Sequence, residues 1–253
     1  MKSRKILIIF LTFFLLVLIW EIVTKIDTIN STLFPSPETV FDAFIEMIRN
    51  GELLADTTAS LIRLLLGFFL GTILGMSGGI ISANFPSFND SVGQILNFSR
   101  FIPPLALVPL AMIWFGIGEA SKVGLLLWAT FFPVWINTYF GMKNVNKKHI
   151  WAAKSLGATK FKILKSVILP SAMPFLIAGA RIGLGITFSV LIAAEMAGAI
   201  SGLGVRMALS HQLFRVDKML VAIIVLGILG LVADRIFVLV TKKMIPWKKS
   251  EAL

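Results

Sequence analysis

Residues 143–170 read KNVNKKHIWAAKSLGATKFKILKSVILP and lie between two apolar runs long enough to cross a membrane. We call this stretch the basic segment, because it holds seven lysines and no acidic residue. Gly157 can end a short helix near 147–156, since glycine takes the left-handed cap conformation without strain. Thr159 can cap a second helix near 160–169. The basic segment is therefore predicted to form two short helices at the membrane surface.

The two predicted helices of the basic segment carry different surfaces. The alanine pair at 152–153 gives the first helix a smooth patch that suits a groove on another protein. The second helix places Phe161, Leu164 and Ile168 in one apolar stripe, with lysines on its polar side. Pro170 is expected to end that helix before the next span. Such a segment either docks on a partner protein or lies at anionic lipid head groups, and its own residues favour neither.

The composition indicates a membrane protein. Hydrophobic residues make up 57% of the 253 residues and charged residues only 15%, against about 25% in soluble domains. A soluble fold could not bury this apolar excess, whereas a bilayer solvates it. We predict an all-α integral membrane protein with about six transmembrane helices, near residues 6–23, 61–83, 102–117, 123–142, 175–199 and 220–240.

Two of the predicted spans have unusual starts. Basic residues precede the run 6–23 as in a signal peptide, but the run lacks a small-residue cleavage site and is interpreted as a retained first span. Pro103 and Pro104 remove backbone donors at the start of 102–117, so that span is expected to begin irregularly.

The charge distribution predicts the orientation. The formal net charge is +11, and fifteen Lys and Arg residues fall on the side that carries both termini, Arg100 and the basic segment, against six on the other side. Because basic residues collect on the cytoplasmic side, both termini are predicted to be cytoplasmic, in a multi-pass protein of the bacterial plasma (inner) membrane. Nucleic-acid binding is disfavoured, since basic and aromatic residues do not interleave on a polar platform.

An amphipathic segment is predicted outside the membrane at residues 31–57. Ser36 can cap a helix there, with Pro37 at its first position. The helix would carry an apolar face and an acidic face. This pattern indicates a helix lying on the outer leaflet, or a docking surface for an external partner.

Glycines repeat every four residues in the second span, at Gly67, Gly71, Gly75 and Gly79. In lipid, small residues let helix backbones approach closely, and this drives helix association. The repeat predicts a packing face along most of the span. A hinge for gating is an alternative that is compatible with packing.

Charged and polar residues inside the spans are candidates for a transport pathway. Glu195 fits either a gate at the outer mouth or a structural carboxylate between helices. Arg181 could line a pathway, form an interhelical bond or snorkel to the membrane interface. It lies 14 residues from Glu195, about 21 Å along a helix, so these two side chains cannot pair. Asn137 fits pathway lining or helix packing. Pro103 and Pro104 indicate irregular backbone, either beside a pathway or in a re-entrant lead-in.

The ion pair at the inner end of the last span has a simpler interpretation. Asp234 and Arg235 are expected to form an anchoring pair at the membrane interface.

The sequence offers no catalytic or metal-binding constellation. It has no cysteine, and its two histidines, His149 and His211, are far apart. It lacks the Gly-x-x-x-x-Gly-Lys-Ser/Thr phosphate loop. We therefore predict no catalytic residue, no metal site and no bound cofactor, and the chain is not expected to be an enzyme.

The basic segment resembles a signature of ABC-importer permeases, which reads Glu-Ala-Ala, three residues, Gly-Ala, and then a helix ending in Leu-Pro. Here Ala152 and Ala153 are followed by Gly157 and then by the Leu-Pro pair at 169–170, while Trp151 stands where Glu is usual. Further motifs match in order at 34–37, 102–107, 114–118, 132–133, 137–138, 194–199 and 202–204. Together they are similar to the nitrate/sulfonate/taurine-type branch over roughly residues 33–240.

This resemblance implies a type I ABC importer permease fold and a set of partners. The expected partners are a cytoplasmic ABC ATPase dimer that holds ATP and Mg, an external solute-binding protein, a second copy of the chain and the lipid bilayer. The residues implied in coupling to the ATPase are Trp151, Ala152, Ala153, Leu156, Gly157, Ala158 and Phe161.

The implied division of the chain is an N-terminal transmembrane helix at 1–30, an external segment at 31–57, a transporter core at 58–242 and a cytoplasmic tail at 243–253. The implied solute is a small anion such as a sulfonate, taurine or nitrate. The same machinery could carry a vitamin precursor, pyrimidine or riboflavin-like. A self-sufficient ion-coupled carrier is the other class, although the sequence shows no clear internal repeat and few intramembrane acids.

Overall fold

The computed structural model describes residues 2–25 and 32–245, and within these ranges the regular structure is helical. The α-helices are α1 Lys2–Thr24, α2 Pro37–Arg49, α3 Glu52–Asn84, α4 Pro86–Ser99, α5 Val108–Phe115, α6 Glu119–Lys143, α7 Lys147–Ser155, α8 Lys160–Ile163, α9 Leu169–Met196, α10 Leu203–Gln212 and α11 Val216–Met244. A 3₁₀ turn, Pro104–Leu107, precedes α5, and a π turn, Leu164–Ile168, joins α8 to α9.

Four helical stretches in the described part are long and apolar enough to cross a membrane: Glu52–Asn84, Glu119–Lys143, Lys160–Met196 and Val216–Lys243. They confirm four of the predicted spans. The first predicted span, 6–23, lies within α1, Lys2–Thr24, and stays a prediction. The orientation of the termini stays a prediction.

The predicted span at 102–117 begins irregularly, as expected, but it belongs to a bent pair of helices and is not a full span by itself. The chain forms α4 and then the pair Pro104–Phe115, and these two pieces are bent against each other by 88°. They make either one broken span or a re-entrant loop, which brings the described part to at most five spans. The bend occurs because Pro103 and Pro104 cannot donate backbone hydrogen bonds at this point.

The chain divides into two compact units, Met1–Ala59 with Ile200–Gly227, and Ser60–Ala199 with Ile228–Leu253. The fourfold division predicted from the sequence stays a prediction. Residues 26–31, at the junction of the first two predicted parts, and residues 246–253 of the predicted tail lie outside the described residues.

The glycine repeat of α3 packs against α6, as predicted. A Cβ atom on Gly71 would lie 2.6 Å from Thr130 Cβ, and one on Gly79 would lie 2.5 Å from Thr138 Cβ. Gly67 faces Leu126 equally closely, and a Cβ on Gly75 would lie 2.8 Å from Val134 Cβ and 2.7 Å from the Phe131 backbone oxygen. Successive glycines thus meet residues of α6 that are four positions apart, and the two backbones approach without intervening side chains.

Helix α9 packs on α6 by the same means. A Cβ on Gly179 would lie 2.6 Å from Asn137 Cβ and 2.9 Å from the backbone oxygen of Pro133. Beside this contact, the buried hydroxyls of Thr130 and Thr187 share a hydrogen bond of 2.6 Å. The core of the second unit is therefore held by close backbone contact and by paired hydroxyls.

Pro170 does not end the second helix of the basic segment, contrary to expectation. The helix continues through the π turn, where the Leu169 amide donates to the carbonyl of Leu164, and Pro170 lies in the first turn of α9. Proline lacks an amide hydrogen, and its ring clashes with the carbonyl four residues earlier in a regular helix. The wider π turn relieves this clash, so α8 and the following span form one helical stretch, Lys160–Met196.

Candidate functional site

The first helix of the basic segment, α7, is capped at both ends by its own sequence. The side chain of Asn146 accepts a hydrogen bond from the Lys148 amide at 3.0 Å. At the other end Gly157 has a φ of +75°. The Gly157 amide donates to the Lys154 carbonyl at 2.9 Å, and the Ala158 amide donates to the Ala153 carbonyl at 3.0 Å. These two bonds form a Schellman motif, which confirms the predicted glycine cap.

The second helix of the basic segment begins at the predicted cap. The Thr159 side chain accepts a hydrogen bond from the Lys162 amide at 3.4 Å, and α8 starts at the next residue, Lys160. Two predicted caps therefore set the bend between α7 and α8.

The inner surface of the basic segment is anchored to the ends of α6 and α9. Ile150, Leu164 and Ile168 pack on a buried cluster made of Met142, Val145, Ala172 and Leu176. Ile163 is buried as well. The predicted stripe is therefore divided, because Leu164 and Ile168 face inward while Phe161 faces outward.

The outer surface of the basic segment is apolar and unusually open. Trp151, Leu156 and Phe161 are 61%, 88% and 72% exposed. Ala152 and Gly157 are exposed beside them, and Ala153 and Ala158 are half-buried. Three large exposed apolar side chains on capped helices, surrounded by lysines, form a surface suited to a protein partner. We call this set of seven residues the coupling surface.

Glu195 lies in a buried group of charges that we call the ionic cluster. Its side chain is fully buried. Ser60 Oγ donates to Glu195 Oε1 at 2.8 Å, and Arg63 Nη1 donates to the same oxygen at 2.8 Å. Arg63 Nη2 also donates to Glu119 Oε1 at 2.8 Å. The cluster joins α3, α6 and α9, and this geometry favours the structural interpretation of Glu195 over a gate.

Sequence reasoning missed the partners of Glu195 in the ionic cluster. Arg63 lies within the predicted span 61–83, and the rule that makes an intramembrane charge a functional candidate would have selected it. Ser60 and Glu119 carry no such signal, because serine is common in membrane helices and Glu119 lies at a helix start.

Arg181 pairs with Asp234 rather than lying free in a pathway. Arg181 Nε and Nη2 donate to the two carboxylate oxygens of Asp234 at 2.7 and 3.0 Å, which joins α9 to α11. The expected pairing of Asp234 with Arg235 is therefore wrong. A bidentate bond to another helix satisfies the planar guanidinium better than a neighbour in sequence can.

Asn137 serves packing in this structure. Its side-chain amide donates to the Pro133 carbonyl at 2.8 Å, and its Cβ contacts Gly179. Pro103 precedes the 3₁₀ turn in an extended conformation. Pro104 lines an open volume.

That volume, which we call the Arg100 cavity, is an open depression of about 420 Å³. Its lining residues are Arg100, Phe101, Ile102, Pro104, Trp128, Ala129, Phe132, Pro133, Ile136 and Ile186. It was not predicted, because Arg100 was assigned to a cytoplasmic loop.

The other unit carries the predicted amphipathic helix, α2. Ser36 caps it, and Pro37 is its first residue, as predicted. Glu46 of its acidic face pairs with Lys218 at 2.8 Å and with Arg215 at 3.1 Å. Hydrogen bonds from these two cations hold the pKa of Glu46 below its usual value.

A second group of ion pairs in this unit surrounds Asp56. The Asp56 carboxylate accepts from the Gly202 amide at 2.9 Å and from Arg206 Nε at 2.8 Å. These bonds fix the start of α10, whose first turn follows Gly202.

Known proteins are similar to this chain over residues that belong to both units. The family model described as binding-protein-dependent transport system inner membrane component matches residues 67–246. A permease named for aliphatic sulfonates transport, SsuC of Bacillus subtilis (strain 168), is 33% identical over 235 residues, covering 93% of this chain and 85% of that protein. The taurine transport system permease protein TauC of Escherichia coli (strain K12) is 33% identical over 250 residues, covering 97% and 91%.

Solved structures share the fold at lower identity. The MetNI methionine ABC transporter, in an inward facing conformation, matches with a TM-score of 0.60 at 19% identity, over 76% of this chain and 93% of that one. An amino acid ABC transporter crystallised with histidines matches with a TM-score of 0.60 at 15% identity, over 80% and 97%. The helical arrangement is thus that of ABC importer permeases.

Proposed function

Because this chain belongs to the family of binding-protein-dependent transport system inner membrane components, we propose that it is the permease subunit through which an ATP-driven importer moves a small organic anion. Sulfonates and taurine are the proposed solutes. One observation carries this choice: relatives named for aliphatic sulfonates and for taurine align with more than nine-tenths of the chain.

The proposed mechanism separates the energy source from the pathway. A cytoplasmic ABC ATPase dimer would hold ATP and Mg, since the sequence of this chain lacks the phosphate-binding loop. The coupling surface would dock in a cleft of that ATPase. Trp151 would fill the place that glutamate takes in related signatures, with its exposed ring as an apolar contact.

Movement would pass from the coupling surface to the pathway through α8 and α9. Support comes from the anchoring of the basic segment on Met142, Val145, Ala172 and Leu176, and from the helix that continues through the π turn into the span. Two copies of the chain would enclose the pathway, and an external binding protein would deliver the anion.

Gene deletion tests the proposal directly. Loss of the chain should abolish uptake of radiolabelled taurine and butanesulfonate by its native cells, and a plasmid copy should restore it. Uptake of a pyrimidine precursor and of nitrate is measured in the same cells. Unchanged sulfonate uptake with loss of the pyrimidine would replace the proposed substrate class.

A second experiment tests the partners. Full-length tagged chain purified from native membranes should carry a cytoplasmic ATPase, and uptake should stop when ATP is depleted while the ion gradients are clamped. Uptake that follows an ion gradient without ATP would indicate the self-sufficient carrier instead.

A further inference from the structure

Arg100 lines a cavity against the middle of α6. It follows the last turn of α4, at the 88° bend before Pro104–Phe115. The residues of α6 that share its cavity, from Trp128 to Ile136, lie around the midpoint of Glu119–Lys143. The Arg100 cavity therefore places an exposed, permanent cation beside the middle of a candidate membrane span.

The guanidinium of Arg100 has no carboxylate partner within residues 2–25 and 32–245. Its neighbour is the ring of Phe101, with 4.8 Å between the guanidinium carbon and the ring centroid. The intramembrane arginines Arg63 and Arg181, in contrast, are each bound by carboxylates. A cation beside the middle of a membrane span, without an anion, is unfavourable unless something else supplies the negative charge.

The indole ring of Trp128 lines the same cavity and packs edge-on against Phe132, with 4.9 Å between ring centroids. Its Nε1 atom is buried and presents no accessible surface to the cavity. Trp128 therefore contributes apolar ring surface to the lining.

Arg100 supplies the charged side-chain group of the cavity, and a guanidinium can only donate hydrogen bonds. The other lining side chains, such as Phe132 and Ile136, are apolar. The volume of about 420 Å³ falls in the range of small-molecule sites. The cavity thus fits a small molecule with an anionic head and a short hydrocarbon body.

We propose that the Arg100 cavity is a binding site for the organic anion within the transport pathway. The Arg100 guanidinium binds the sulfonate head, and Phe132 and Ile136 contact the hydrocarbon part. This inference rests on the proposed function for the identity of the anion. The site itself rests on the Arg100 guanidinium, which has no carboxylate partner among the described residues, and on the apolar volume beside it.

The absence of cysteine in the chain allows a direct test of the site. Ile136→Cys places a single thiol in the cavity of the full-length chain, purified with its ATPase in phosphatidylcholine nanodiscs. Its reaction rate is measured with two methanethiosulfonate reagents, one carrying a sulfonate and one a trimethylammonium group. Arg100→Gln should lower the preference for the sulfonate reagent about tenfold.

Ile113→Cys is the matched control, because Ile113 is 78% exposed and does not line the cavity. Its preference between the two reagents should not respond to Arg100→Gln. Millimolar butanesulfonate should slow modification at position 136 and not at position 113. An unchanged preference at position 136, or protection by phosphatidylglycerol in the bilayer but not by butanesulfonate, would overturn the site.

Transport provides the second readout. Arg100→Gln should lower butanesulfonate uptake about tenfold or more, with ATPase stimulation by the binding protein retained. Arg100→Lys should keep part of the uptake, because lysine retains the positive charge and loses only the planar pair of donors. Arg49→Gln is the control, since Arg49 is exposed on α2.

The two proposals fail in different ways. Normal uptake by Arg100→Gln, together with an unchanged reagent preference, overturns the Arg100 cavity as an anion site. If the wild-type chain takes up no sulfonate while Arg100 still controls the reagent preference, the site stands and the proposed substrate class fails.

Discussion

The core of the second unit and the coupling surface use opposite side chains for opposite purposes. Where α3, α6 and α9 meet, glycines and threonines bring backbones together, and the charges of Arg63 and Glu195 are buried in mutual bonds. At the coupling surface, Trp151, Leu156 and Phe161 are left open. The core uses small residues for internal contact, whereas the coupling surface leaves large apolar side chains exposed, as the proposed docking on an ATPase requires. Substitutions in the core should therefore act on stability, and those at the coupling surface should act on assembly and uptake.

The largest effect is expected at the ionic cluster. Arg63→Met would leave Glu195 buried without its counter-charge, which costs about 3–5 kcal/mol of folding free energy. Lys25→Met is the control, because the Lys25 side chain is 75% exposed at the end of α1 and its surface pair with Glu21 contributes about 0–1 kcal/mol. Chemical denaturation in detergent measures both. Equal losses for the two variants would contradict the distinction between buried and exposed pairs.

A smaller loss is expected at the glycine face of α3. A Cβ on Gly75 would already lie 2.7 Å from the Phe131 carbonyl, so Gly75→Leu should force α3 and α6 apart and cost about 1–3 kcal/mol or more. Gly185→Leu serves as control, since nothing lies within 4 Å of a Cβ at that position. The melting temperature and the monodisperse fraction of the two purified proteins compare them. A wild-type melting temperature for Gly75→Leu would show that the close contact is dispensable.

A loss of about 1–2 kcal/mol is expected for Gly157→Ala, because residue 157 has a left-handed backbone that disfavours a Cβ. Open space surrounds that position, so the strain comes from the backbone alone. Gly157→Asn, which tolerates this conformation, should lose less. Hydrogen exchange of the α7 amides reports the difference. Identical exchange in both variants would mean that the cap does not limit the opening of α7.

The smallest change in stability is expected at the coupling surface itself. Phe161→Ser should alter the folding free energy by no more than about 0.5 kcal/mol, since the side chain is 72% exposed. It should nevertheless reduce copurification of the ATPase and uptake. Ile163→Ser, two residues away and buried, should destabilise the protein by comparison. Intact ATPase binding by Phe161→Ser would show that partner contact lies elsewhere.

Most of the fold could be predicted from local patterns in the sequence. The four-residue spacing of Gly67, Gly71, Gly75 and Gly79 marks one helix face, and that face meets α6. The caps at Ser36, at Thr159 and at Gly157 were predictable because a cap depends on neighbours within a few residues.

Contacts between distant parts of the chain were not predictable. Ser60 and Glu195 are 135 residues apart, and the pairing of α3 with α9 that joins them leaves no local pattern. The same reason hid the bond between Arg181 and Asp234 and the position of Arg100 against α6. The π turn was missed because Pro170 has two local solutions, a helix end or a widened turn, and the anchoring of Leu164 and Ile168 accompanies the second.

The π turn at Leu164–Ile168 affects the rotational position of the residues on either side of it around the helix axis. A π turn accommodates one residue more than an α-helical turn, and one residue corresponds to about 100° of rotation around a helix axis. The direction in which the Phe161 side chain projects from the helix, relative to Gly179 and Gly183, is thus set by this one additional residue. Deleting Ser166 would therefore turn the Phe161 ring to a different side of the helix, although the residues before and after the π turn would stay the same.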